Sequence, residues 1–412
     1  MQCKPGIVTM ETLLRILVAA MIPATSLTLR ADISWTRHTI DKASPSEGRT
    51  GADGVRLADL DGDGRLDVVT AWENGGAIRV CRNPGSTYAD RPWQGVTAGN
   101  VSGAEDAVLA DIDDDGRLDV ATSAEGKTRS MFVHWGPRDG KHLWESDAWT
   151  TAAIPSTEGK QAWMFSLPLD VDRNGRCDLI TGAKGENGAV GWMRHPGPIA
   201  ARSLDEWKWS ALTTAGWIMS LIAVDLNQDG KTDVVFSDRK GPRSGIYWMR
   251  ALPAEPWFAE PVRIGGGGEE VMFLDVFDFD EDGRLDVVAA IRPYTIRTIL
   301  QPNDTDWKDW PDIVDLDPLP AERFGTVKAV RMGDVDLDGI PDYVISCENA
   351  NGEKSGVLYA NVHSEFTSVS GPEGVKFDRI ELIDLDLDGD LDILTCEEKD
   401  DLGVFWYENP AR

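Results

Sequence analysis

Short apolar runs alternate with small polar breaks along this chain, and the breaks recur. In GVRLADLD and LDVVTAW, and again in FDRIELIDLD and LDILTCEE, β-branched and apolar residues form brief stretches bounded by Gly and Asp. Runs of that length are too short for helices and match strands buried on one or both faces. The first unit predicts four strands, at Val55 to Leu60, Leu66 to Trp72, Ala77 to Arg82 and Trp93 to about Ala98. The third of these recurs as GAVGWMRHP, GIYWMRAL, GVLYANV and GVFWYENP. The fourth often opens on an aromatic residue (Trp93, Trp149, Trp209, Trp257 or Phe366), which is expected to pack between units.

The polar break between the first two strands has one form, D-x-[DN]-x-[DN]-G-x-x-D, and it occurs seven times. Its oxygen-bearing positions 1, 3, 5 and 9 are Asp59, Asp61, Asp63 and Asp67 in the first copy and Asp111, Asp113, Asp115 and Asp119 in the second. The third copy has Asp170, Asp172, Asn174 and Asp178, and the fourth has Asp225, Asn227, Asp229 and Asp233. Asp278, Asp280, Asp282 and Asp286 follow in the fifth, and Asp334, Asp336, Asp338 and Asp342 in the sixth. The seventh has Asp384, Asp386, Asp388 and Asp392, with Asp390 as an extra carboxylate. Oxygens at this spacing can converge on one cation, with a backbone carbonyl near position 7 adding a ligand. Calcium accepts such irregular cages of 6–8 oxygens, whereas magnesium demands a tighter octahedron. Position 6 is Gly in all seven copies, as a loop folding back on an ion requires. These are not EF-hand loops: position 12 is Thr70, Thr122, Thr181, Phe236 and so on, never the Glu that would be needed, and the flanks read as strands.

The loops begin 52, 59, 55, 53, 56 and 50 residues apart. Seven four-stranded antiparallel units of that size predict an all-β fold, a seven-bladed β-propeller, in which radial closure leaves only short edges. After the seventh loop only three strands remain, and the missing outer one stands at the other terminus, Trp35 to Ile40. Pairing it into the last blade would close the ring. The loops after the second and fourth strands then share the face opposite the Asp-rich loops, and Lys160, Trp163, Trp217, Arg292 and Tyr294 are expected near it. Each of these five is read first as a packing or solvated residue.

Charge narrows the partners. A formal net charge of −29 repels nucleic acid and anionic membrane surfaces, and much of the excess sits in the seven loops. No apolar run reaches the roughly 18 residues a membrane span needs. Residues 1–31 read as an export signal, with Arg15 ahead of the apolar run Ile16 to Ile22 and then Pro23, leaving 32–412 as the propeller. Outside the signal, Cys81, Cys177, Cys347 and Cys396 suit either two disulfides or four core positions.

The loops and strands together resemble the FG-GAP/VCBS repeat family, with its integrin-α-like calcium-binding propeller blades. The likeness runs from about residue 35 to 410 and is nearest to exported bacterial members. Blade 5 departs from it, since IRPYTIRTILQPN lacks the Gly-aromatic third strand. The resemblance implies Ca²⁺ at positions 1, 3, 5 and 9, up to seven ions in all, and a secreted, periplasmic or cell-surface location. It also implies a non-catalytic binding or adhesion module for a glycan or an extracytoplasmic protein, expected to be monomeric. The alternative is a carbohydrate-active enzyme such as a polysaccharide lyase. Neither GxSxG nor HExxH occurs, but propeller active sites draw single residues from several blades.

Overall fold

The computed structural model describes residues 34–303 and 310–411, so the export signal read at residues 1–31 lies outside the described residues. The strands form seven four-stranded antiparallel sheets arranged as a seven-bladed propeller. In the first blade the strands run Ala52–Ala58, Asp67–Trp72, Ala77–Arg82 and Gln94–Asn100 from the inside outward. The first strand begins earlier than its apolar pattern predicts, because a bulge between Asp53 and Arg56 carries Gly54 at φ 73° and lets pairing continue past it. Leu60 falls in the loop but is still buried. In blade 4 the outer strand is Val262–Gly265, so Trp257 precedes it instead of opening it. Blade 5 does supply a third strand, Thr295–Ile299, without the Gly-aromatic signature.

The second strand of each blade sits at the sandwich centre, and in Asp67–Trp72 every residue is buried. That is why these segments read as almost unbroken apolar runs. Their side chains pack against neighbouring blades: Trp72, Trp93, Leu394 and Trp406 share one core between the last blade and the first. The indoles of Trp93 and Trp406 both donate to the Ala89 carbonyl, at 3.2 and 3.1 Å. Cys81, Cys177, Cys347 and Cys396 are buried core side chains in four different blades.

The ring closes as the sequence implies. Thr36–Asp41 pairs antiparallel with Gly403–Glu408 as the outer strand of the last blade, Thr36 opposite Glu408 and Thr39 opposite Phe405. Ion pairs join the inner strands of neighbouring blades. Arg56 meets Asp106 with two contacts of 3.0 Å, and Arg331 bridges Asp275 (2.9 Å) and Glu381 (3.0 Å). Glu381 also accepts from Arg379 at 2.7 Å.

Candidate functional site

Each Asp-rich loop folds on its own carboxylates. The position 6 Gly donates its N–H to the position 1 carboxylate in all seven copies, from 2.8 Å at Gly175 to 3.2 Å at Gly389. The position 7 N–H likewise reaches the position 5 side chain every time, with Asn174 accepting from Arg176 at 3.0 Å just as the Asp residues do. The Gly is required by backbone angle: its φ lies between 82° and 100°, while a Cβ on Gly64, Gly116 or Gly339 would meet nothing within 4 Å.

The turns leave oxygens gathered. Ligand atoms of Asp59, Asp61 and Asp67 lie within 4.8 Å of one another, as do those of Asp111, Asp113 and Asp115, and of Asp170, Asp172 and Asp178. The donor set is oxygen alone, the chemistry calcium prefers. Two of the carboxylate oxygens, Asp172 Oδ1 and Asp278 Oδ1, are buried with no hydrogen-bond donor. A buried anionic oxygen left unmatched is costly, and a cation in the loop would match it. By these observations the residues fit the ion.

Position 9 has a second task that the pattern did not reveal. Asp67 accepts the N–H of Leu60 at 2.9 Å and of Asn83 at 2.8 Å, tying the loop to the end of the third strand. Asp286 does the same with Phe279 and Gln301, and Asp392 with Leu385 and Asn409. The residue so tied also reaches the preceding blade: Gln301 donates to the Leu226 carbonyl at 2.8 Å and Asn409 to that of Val335 at 2.7 Å. Burial, with crowding by the other loop carboxylates, pushes Asp67 and Asp286 up to about 6 and Asp119 and Asp392 to about 8.

Of the five residues expected near the opposite face, Trp163 packs inside and donates its indole N–H to the Thr157 carbonyl at 3.2 Å. Tyr294 packs against the core and Lys160 is exposed. Trp217 and Arg292 do stand at the channel mouth, among charged neighbours. Lys184 and Arg239 lie 4.5 Å from the Trp217 ring centre, and Arg292 meets Glu270 at 3.2 Å. A separate open cleft of about 370 Å³ beside the third loop is lined by Asn174, Arg194 and His195.

Residues 59–122, 170–236 and 278–345 match the FG-GAP-like repeat family. No curated protein matches the chain. Among solved structures, the chain is similar to BBS1N, crystallised in complex with ARL6DN, with TM-score 0.51, 11% identity and coverage of 91% of this chain and 98% of that one. It is similar also to Saccharomyces cerevisiae Sqt1, with TM-score 0.50, 11% identity and coverage of 91% and 99%. At that identity the likeness speaks for the fold alone.

Proposed function

From the premise that this chain is a protein of the FG-GAP repeat family, we propose that it is a calcium-stabilised, exported binding module. Its propeller holds a ligand-recognition face rigid, and it performs no chemistry of its own. The observation that carries this reading is the set of seven loops closed by the same hydrogen bond at the same end of the ring, with oxygens of the first three gathered within 4.8 Å. Positions 1, 3, 5 and 9 would hold the ion, whose positive charge lets several carboxylates stand together ionised. Position 9 would share its oxygens between the ion and the backbone N–H groups it already serves.

Magnitude favours a structural ion. At roughly millimolar calcium and Kd near 10⁻⁴–10⁻³ M, each site would add about 0.4–1.4 kcal/mol, so seven add about 3–10 kcal/mol. That is comparable with the whole stability of a domain. Seven double charges would also bring the formal −29 to −15. With one face given to the loops, recognition of a glycan or an extracytoplasmic protein falls to the other, where connections vary from blade to blade.

Calorimetry with and without EDTA tests the ion. A melting temperature unchanged by EDTA, together with no calcium found by metal analysis, would remove this reading. A glycan array run both ways, followed by incubation with uronic-acid polysaccharides, tests the rest. Calcium-dependent retention without product is expected, and release of sugar product would make the protein an enzyme.

A further inference from the structure

Six residues after position 9, every blade carries a charged side chain: Glu73, Glu125, Lys184, Arg239, Arg292, Glu348 and Glu398 in blade order. The strand between them runs from the Asp-rich loop to the opposite face, so the seven meet around the channel mouth there. Their signs are segregated. Blades 6, 7, 1 and 2 bring Glu; blades 3, 4 and 5 bring Lys or Arg.

Ion pairs between ring members mark the two borders, Glu125 with Lys184 and Arg292 with Glu348. Within each sector like charges stand side by side. Asp53, Glu73 and Glu398 bring oxygens within 4.8 Å of one another, as do Glu73, Glu105 and Glu125. Burial, and Glu398 beside it, push the Glu73 carboxyl up. On the far side Lys184, Arg239 and Lys240 all lie over Trp217, at 4.5, 4.5 and 5.1 Å. Arg239 and Arg292 share the single carboxylate of Glu270. A ring serving stability alone would alternate its signs, because like neighbours repel. This one is polarised across its diameter, with Lys376 on Glu398 and Lys328 near Glu348 offsetting part of the acidic side and Glu270 part of the basic side.

We infer that the mouth docks a polypeptide segment carrying a cationic cluster at one end and an anionic cluster at the other, the cationic end toward blade 1 and the anionic end toward blade 4. The inference deepens the binding-module reading and rests on it. A polyanion would face four Glu and the field of a −29 protein, and a polycation would face the Lys and Arg sector. A polypeptide supplies both signs on one scaffold. Polarity also answers a problem of the fold: seven similar blades offer seven similar registers, and a split ring selects one.

The test uses two synthetic peptides of one composition, Lys-Lys-Gly-Ser-Glu-Glu with blocked signs and Lys-Glu-Gly-Ser-Lys-Glu with alternating ones, titrated onto the calcium-loaded protein by NMR. The blocked peptide should bind at least about threefold more tightly at low salt, and the gap should close near 1 M salt. The swap Glu73→Arg with Arg239→Glu, which keeps the net charge, should abolish the preference. Where that variant fails to fold, Glu73→Gln with the exposed Lys240→Gln should weaken it. Equal affinities, no binding of either peptide at about 5 mM, tighter binding of an all-Lys or all-Glu hexapeptide, or a preference surviving the swap would each overturn the inference. So would salt-sensitive pairing of the protein with a second copy through this face. Glycan retention with no peptide preference would retire this inference and leave the binding module standing.

Discussion

Within one loop, neighbouring positions ask opposite things of the backbone. Position 6 is Gly at positive φ, and position 4 is also left-handed in all seven loops, though only Gly62 is a glycine there. The others are Asp114, Arg173, Gln228, Glu281, Leu337 and Leu387. Gly339→Ala should therefore cost about 1–2 kcal/mol, while Leu337→Gly two residues earlier should gain up to about 1 kcal/mol, both read from urea melts. Asp286→Ala should cost about 2–4 kcal/mol, since it strands the N–H groups of Phe279 and Gln301 in a buried setting. Asp280→Ala, at an exposed position of the same loop, should weaken calcium binding and leave chelated protein almost as stable as before. The repeat made position 6 conspicuous because Gly never varies. Position 4 was invisible, because its residues share no chemistry and only the fold constrains them.

At the scale of strands, the seven blades and the closing strand were legible because each apolar run sits at a fixed offset from an Asp-rich loop. Boundaries were less so. Gly54 hides a bulge, and the blade 5 strand Thr295–Ile299 lacks the aromatic signature of its equivalents. The charged ring escaped notice for a different reason: its members sit at strand ends, where connections look variable and polar until blades are aligned on position 9. Trp217 and Arg292 were expected at that face, but part of their charged company, Lys184 and Glu348, comes from neighbouring blades, far off in sequence. The closing strand carries a prediction of its own. Ile40 is fully buried against the core shared by the first and last blades, so Ile40→Ala should cost about 2–4 kcal/mol and lower the calorimetric melting temperature.

For the molecule as a whole, the ion pairs between neighbouring inner strands set an acid limit. Burial alone would push the Glu381 carboxyl up, but Arg331 and Arg379 outweigh it and hold it at about 2, below its ordinary 4.5. A carboxyl depressed in the folded state stabilises above its unfolded value and loses that contribution as pH falls through the folded one. Thermal stability should therefore drop between pH 4.5 and 2, and Glu381→Gln should flatten that limb. A circle made from a linear chain must also be fastened somewhere, and here the fastening lies where Thr36 stands opposite Glu408, with both tails leaving at one corner. A pull applied between those tails would undo the pairing rung by rung, as a zip opens, without loading every rung at once. Under tension the clasp of the circle should yield at low force, well before the blades it holds together.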